Sequence, residues 1–171
     1  AVKKGVGKRA QVDATADEAT VGGGSWSSEA VPSAAVRVSC SDEKTAVKLA
    51  RKYHIDNGHP HKFRVISRWQ SYHGITMGAL SWSGFTPRRV DYQPYLKDFV
   101  HIPPAYCYRC WFGREPGICS LECSHALENA ILTEGPDTVA AFIAEPIQGV
   151  GGVVTPPREY FQIVYERVRQ V

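Results

Sequence analysis

The stretch Thr138-Val139-Ala140-Ala141-Phe142-Ile143-Ala144 decides how the chain folds, because it is an almost unbroken apolar run. A strand with one wet face would alternate polar and apolar residues. A continuous run of this length instead marks a strand covered on both faces, as in a parallel sheet with helices above and below. On its N-terminal side, Leu121 to Glu134 carries Leu121, Ala126, Leu127, Ala130 and Ile131 at helical spacing, and Gly135-Pro136 stops it. On its C-terminal side, Pro157 stands where a helix can start, and Tyr160, Val164 and Val168 recur four apart.

Further towards the N-terminus, Phe63 to Ser67 (FRVIS) is predicted as a second strand, with Arg68 to Gly74 as the loop leaving it. Ile75 to Ser83 is predicted as a short helix closed by Gly84. Before these, Val36 to Val38 reads as a strand, and KTAVKLARKYH (44–54) as a helix whose apolar face is Ala46, Leu49, Ala50 and Tyr53. Ser41 is its expected N-cap, Asp42 and Glu43 sit where the helix dipole favours acids, and Gly58 and Pro60 end it. Between Phe85 and Gly117 five prolines (Pro87, Pro94, Pro103, Pro104 and Pro116) erase periodicity, which predicts a long surface excursion.

Strand and helix thus alternate three times, the pattern of an α/β domain: a three-layer α/β/α arrangement around a mostly parallel sheet, spanning residues 37–171. The alternation calls for another parallel strand after the last helix, so a truncated domain is expected. Residues 1–36 are set apart as an N-terminal segment without a fold assignment, containing the loop-like VGGGSWSS (21–28). A short helix over Val2 to Val12 is weakened by Gly5 and Gly7.

Composition narrows the classes. With 171 residues, 43% hydrophobic and 22% charged, the chain has the length and make-up of one globular domain. The net charge is only +3, and basic residues cluster only at Lys3, Lys4, Lys8 and Arg9, so no nucleic-acid partner is expected. No apolar run approaches the ~18–20 residues of a membrane span, and residues 1–30 lack the apolar stretch of a secretory signal. The five cysteines are an odd number, which favours reduced thiols and a cytoplasmic location. Cys107 and Cys110, with Cys119 and Cys123 beyond, form two close pairs whose spacing suits either a four-thiolate zinc site or structural thiols.

Three turns carry candidate binding residues. Ser39, Cys40 and Ser41 precede a helix, and free backbone N–H groups at a helix start form an anion site. Tyr72 and His73 lie in the loop after the strand 63–67, where a Tyr-His pair taken by itself more often packs and hydrogen-bonds than binds a ligand. Glu145 ends the strand 138–144, and α/β folds bind ligands at the carboxyl ends of their strands.

Four segments in order, KLARKYH (48–54), FRVISRWQSYHGITMGALSWSG (63–84), HIPPAYCYRC (101–110) and GPDTVAAFIAEPIQGVGGVVTPPREYF (135–161), resemble the class III (ω-type) aminotransferases of the pyridoxal-phosphate (PLP) fold type I superfamily. The resemblance implies that the chain is part of the large, cofactor-binding domain of such an enzyme. It implies that Tyr72 stacks on the pyridine ring of PLP, that His73 lies beside it, and that Glu145 stands near the cofactor, able to pair with a mobile arginine. It makes Ser39-Cys40-Ser41 the counterpart of the family's Ser-Gly-Ser phosphate loop, with Cys40 in place of glycine. Ser27-Ser28-Glu29-Ala30-Val31 copies the family's Ser-Glu-Ala-Val more literally but lies about a dozen residues too far from the helix.

The implied reaction moves an amino group from an amine or ω-amino acid to a keto acid such as pyruvate. In the family a Schiff-base lysine and a pyridinium-binding aspartate lie beyond the PPREYF helix, and none of Lys44, Lys48, Lys52, Lys62 or Lys97 sits in a matching motif. No residue is therefore assigned a catalytic role, the chain alone is expected to be inactive, and a homodimer is implied for the intact enzyme. The resemblance favours structural thiols over zinc at the cysteines. A non-catalytic PLP- or phosphate-binding module and a zinc-stabilised interaction domain are the alternative readings.

Overall fold

The structure, a computed structural model, describes residues 11–13, 37–39 and 43–170, with side chains from 43 to 168. Its elements run in the order β1 (Gln11–Asp13), β2 (Arg37–Ser39), α1 (Glu43–Asp56), β3 (Arg64–Arg68), α2 (Met77–Trp82), β4 (Val100–Ile102), α3 (Glu122–Glu134), β5 (Val139–Phe142) and α4 (Tyr160–Gln170). Short 3-10 turns fill parts of the proline-rich excursion at Thr86–Arg88, Val90–Tyr95 and Cys107–Arg109.

The sheet forms around β3, which pairs in parallel with β4 on one side and β5 on the other. Ile66 stands opposite Val100 and Phe142, and an irregularity between Arg64 and Val65 shifts the β5 register. Because successive strand side chains point to opposite faces, β3 feeds two layers at once. Val65 packs with Ala79 and Trp82 of α2 and Val47 of α1, while Ile66 packs with Ile102, Leu127, Ile131, Tyr160 and Val164 under α3 and α4. The second cluster is the larger core. Each large apolar side chain buried there contributes roughly 1.5–3 kcal/mol relative to exposure. The expected three-layer α/β/α arrangement with a parallel sheet is what the described residues form.

Several details depart from the sequence expectations. The inward stripe of α1 is rotated from the expected one: Ala46 and Ala50 are half-buried as expected, but Leu49 and Tyr53 are 40% and 37% exposed, and Val47, Arg51 and His54 are half-buried in their place. Polar tethers set that rotation, because the His54 ring bonds to the Ala140 carbonyl (2.9 Å) and Arg51 donates to the Lys62 carbonyl (2.9 Å). β5 stands at the edge of the three-stranded sheet and its residues are half-buried, rather than covered on both faces. β4 was hidden by the flanking prolines, since Val100-His101-Ile102 is too short to show a period. Gln11 and Val12, expected at the end of a helix, lie in β1, which pairs antiparallel with β2.

Candidate functional site

Parallel strands bring their carboxyl ends to one rim, and the chain leaving β3 and β5 there is held by a dense set of bonds. Gln70 turns the chain sharply, with φ of 61° in the left-handed region that non-glycine residues seldom adopt. Its N–H donates to the Gly84 carbonyl (3.0 Å), and the Gly84 N–H donates to the Ser71 carbonyl (3.0 Å). The Ser71 hydroxyl donates to the Arg68 carbonyl (2.6 Å). The Ser83 hydroxyl accepts the His73 N–H (2.8 Å) and donates to the Ala79 carbonyl (2.9 Å), which ties the loop to α2.

Glu145 joins this loop to the one leaving β5. Its Oε1 accepts the Tyr72 N–H (2.8 Å) and its Oε2 accepts the Gly149 N–H (3.1 Å). Charge-assisted bonds of this kind are stronger than neutral ones. Gln148, fully buried, adds a bond from its amide to the Trp69 carbonyl (2.9 Å). Gly151 rests so close that a Cβ there would come within 2.2 Å of the Gln70 carbonyl oxygen.

Tyr72, His73 and Glu145 are thus brought together at one rim. Cys40 and Ser41 lie outside the described residues, as does Ser27-Ser28-Glu29-Ala30-Val31; Ser39 ends β2, where only the backbone is described. Sequence reasoning missed Arg68, Ser83, Gly84, Gln148 and Gly151. No local signal marked them: Arg68 reads as the first residue of the loop, and the structure makes it the buried last residue of β3.

The electrostatics of the rim are unusual for a loop. The Tyr72 ring is half-buried, with the Arg88 guanidinium 5.2 Å from its centroid, a cation–π distance. His73 is 3% exposed, and neither ring nitrogen has a hydrogen-bond partner among the described residues. Burial first, and then the charges of Arg68 and His101, push its pKa down to about 4. The imidazole is therefore neutral at pH 7. Burial likewise lowers the pKa of Arg68, which is completely enclosed.

A pH dependence follows, with a definite sign. The unfolded chain protonates its histidines near pH 6.5, whereas folded His73 resists protonation until about pH 4. Stability is fully present above pH 6.5 and is lost as pH falls towards 4, by roughly 3 kcal/mol from this residue. Burial also lowers the pKa of His54 and His101, so His73→Gln should flatten the acid limb of a urea-midpoint series without abolishing it. Equal slopes for the two proteins between pH 7 and pH 4.5 would contradict this assignment.

Away from the rim, Cys107, Cys110, Cys119 and Cys123 are free thiols lining one small hollow of about 20 Å³ with Pro104 and Tyr106. Burial raises the Cys123 pKa to about 11, so that thiol stays protonated. Among the described residues no three His, Cys, Asp or Glu side chains gather so that they could hold a metal ion. A separate groove of about 470 Å³ lies between α1 and the sheet, lined by Val47, Arg51, Phe63, Val65 and Phe99. Among the described residues, none of Tyr72, His73 and Glu145 lines it. No helix among the described residues is long and apolar enough to cross a membrane.

Comparison with known proteins places this geometry in context. The family model described as aminotransferase class III matches residues 38–170. The uncharacterized aminotransferase YhxA of Bacillus subtilis (strain 168) is 35% identical over 127 residues, covering 74% of this chain and 27% of that protein. The putrescine–pyruvate aminotransferase of Pseudomonas aeruginosa is 37% identical over 122 residues, covering 71% of this chain and 27% of that protein. The crystal structure of the omega transaminase from Pseudomonas jessenii in complex with PMP superposes with a TM-score of 0.68 at 35% identity, covering 75% of this chain and 28% of that one. The chain spans about a quarter of the length of the relatives it matches.

Proposed function

The chain belongs to the class III aminotransferase family, and on that premise we propose that it supplies part of the cofactor-binding domain of a pyridoxal-phosphate-dependent transaminase. Class III aminotransferases use pyridoxal phosphate. The reaction proposed for the whole protein moves an amino group from an amine or ω-amino acid to a keto acid such as pyruvate. When bound, PLP supplies the electron sink for the carbanion at the carbon bearing the substrate's nitrogen.

The observation that carries this reading is the double clip by which Glu145 holds the amides of Tyr72 and Gly149 at the carboxyl end of the sheet. A partly exposed aromatic ring beside an imidazole with unpartnered nitrogens suits a planar heteroaromatic ligand. In this reading the Tyr72 ring presents a flat face to the pyridine, and Glu145 keeps that face in register with the β5 exit. His73, being neutral, adds no positive charge beside the pyridine. Ser39, Cys40 and Ser41 are proposed to receive the phosphate at the start of α1, where backbone N–H groups and the helix dipole favour an anion. The Cys40 side chain would narrow a place that glycine leaves open.

The lysine and aspartate that the family uses to hold PLP have no counterpart in the matching segments, so turnover is proposed for the assembled enzyme and not for this chain. A homodimer of the whole protein and a cytoplasmic location complete the proposal; the free thiols at Cys107, Cys110, Cys119 and Cys123 suit a reducing compartment. The test is a PLP titration of the chain, read by quenching of tryptophan fluorescence. Tyr72→Ala is expected to weaken binding roughly 2- to 12-fold, the loss of about 0.5–1.5 kcal/mol of stacking. Equal affinity for the two proteins would remove Tyr72 from the site, and no saturable quenching of the parent chain would remove the site itself.

A further inference from the structure

Arg68 occupies the last position of β3 and is completely enclosed. A buried cation is costly, and a well-packed apolar side chain of similar size would often serve stability as well or better. What Arg68 touches suggests what it is for. Strand alternation sends it to the same face as Ile66, where its guanidinium lies 5.6 Å from the Tyr160 ring centroid and 5.5 Å from that of Phe161. Those rings support the head from below. From there Nη2 donates to the backbone carbonyl of Glu145, across the sheet from its own strand.

The connections run in series. The Arg68 head holds the Glu145 peptide; the Glu145 carboxylate holds the Tyr72 and Gly149 amides; and the Arg68 carbonyl anchors the same loop a second time through the Ser71 hydroxyl. Glu145 can reach both amides only while its own backbone stays put, since the Tyr72 bond spans two different loops. We propose that Arg68 is a positioning residue for the cofactor-facing ring of Tyr72, acting through Glu145 and touching neither the cofactor nor the substrate. The description of that ring as cofactor-facing rests on the functional reading above; the mechanical chain from Arg68 to the Tyr72 amide does not.

The experiment is amide hydrogen exchange, resolved by residue with NMR, on the PLP-free chain and on Arg68→Met, Arg68→Lys, Glu145→Ala and the Arg68→Met/Glu145→Ala double variant. Arg68→Met should speed exchange at Tyr72 and Gly149 at least tenfold, to within about twofold of Glu145→Ala, and the double variant should add nothing further. Amides of α3 should keep their protection in all four. Unchanged protection at Tyr72 and Gly149 in Arg68→Met, or effects of the two substitutions that simply multiply, would overturn the proposal. Should Arg68→Met lose protection throughout α3, Arg68→Lys decides: its shorter stem and single ammonium should loosen the same two amides by about threefold or more, and wild-type protection there would overturn the idea equally. A PLP titration of the same variants keeps the two claims apart. If the parent chain fails to bind PLP while both amides respond, the functional reading falls and the positioning chain stands; if PLP binds and Arg68→Met weakens it no less than Tyr72→Ala does, both stand, whereas wild-type PLP affinity in a folded Arg68→Met overturns the positioning role.

Discussion

Gly84→Ala is expected to destabilise the chain by about 3 kcal/mol, near the upper end of what overpacking a closed site does. The methyl group would lie 2.1 Å from the Arg68 carbonyl oxygen and 2.5 Å from the Trp69 Cα. Both obstacles are backbone, which cannot swing aside as a side-chain end can. The Trp69–Gly84 bridge and the two backbone-to-backbone bonds between Gly84 and the Gln70–Ser71 turn would have to open together, releasing the loop that carries Tyr72. Gly78→Ala is the matched control, because a Cβ there meets only the Trp82 ring at an ordinary 3.8 Å inside α2. Alanine at a helical position is favoured over glycine by about 1 kcal/mol, so Gly78→Ala should be neutral or stabilising. Urea denaturation of the pair measures the contrast. Midpoints that move by similar amounts in the same direction would show that Gly84 is not the close contact described.

Arg89→Ala is the second large effect. Arg89 is 5% exposed, and its Nη1 donates to the carbonyls of Leu80 (2.8 Å), Ser81 (3.0 Å) and Ser83 (2.5 Å). These are carbonyls at the end of α2 that lack helical partners of their own, and one side chain serves them all. Removing it takes the donor from the Leu80 and Ser81 carbonyls, while the Ser83 carbonyl keeps His101 Nε2 at 3.2 Å, at about 1–3 kcal/mol for each orphaned acceptor before relaxation and a net loss of about 3 kcal/mol. The guanidinium also stands 5.9 Å from the Trp69 ring centroid, so tryptophan emission should change along with stability. Arg89→Lys should recover only part of the loss, since its shorter stem does not carry the ammonium as far as Nη1, the one atom that reaches all three carbonyls. A loss below about 1 kcal/mol for Arg89→Ala would mean that water serves those carbonyls as well as the arginine does.

Both predictions concern the same neighbourhood, and that is physically sensible. The loop after β3 holds a left-handed glutamine, a buried uncharged histidine and two backbone-to-backbone approaches permitted by Gly84 and Gly151. Local strain of this sort persists only where the surroundings over-determine it, and such places are commonly binding sites. Glu145 and the capping Arg89 are two of the constraints that do so.

Much of the architecture could be read from local pattern. The runs 63–67 and 138–144 announced the two strands β3 and β5, and the helices α2, α3 and α4 were bounded by residues with plain start or stop chemistry, such as Gly84, Gly135 and Pro157. Glu145 stood out as a candidate because it sits just past a strand end, where ligands of α/β folds bind, and Tyr72 through the family motif alone; the structure brings the two together. The inward stripe of α1 was misread, since Leu49 and Tyr53 fit a helical period as well as Val47 and His54 do. β4 was missed because three residues between prolines carry no period at all.

What the sequence by itself determined was the alternation of elements, the parallel character of the sheet and the family, all of which rest on neighbours along the chain or on ordered motifs. What only the tertiary structure decided was the web around the rim: Arg68 holding Glu145 at a separation of 77 residues, Glu145 holding Tyr72 at 73 and Gln148 holding Trp69 at 79. Such bonds join groups that meet only after the sheet has formed. Local periodicity reports which face of an element is apolar, and it carries no record of which distant carbonyl a buried donor will find.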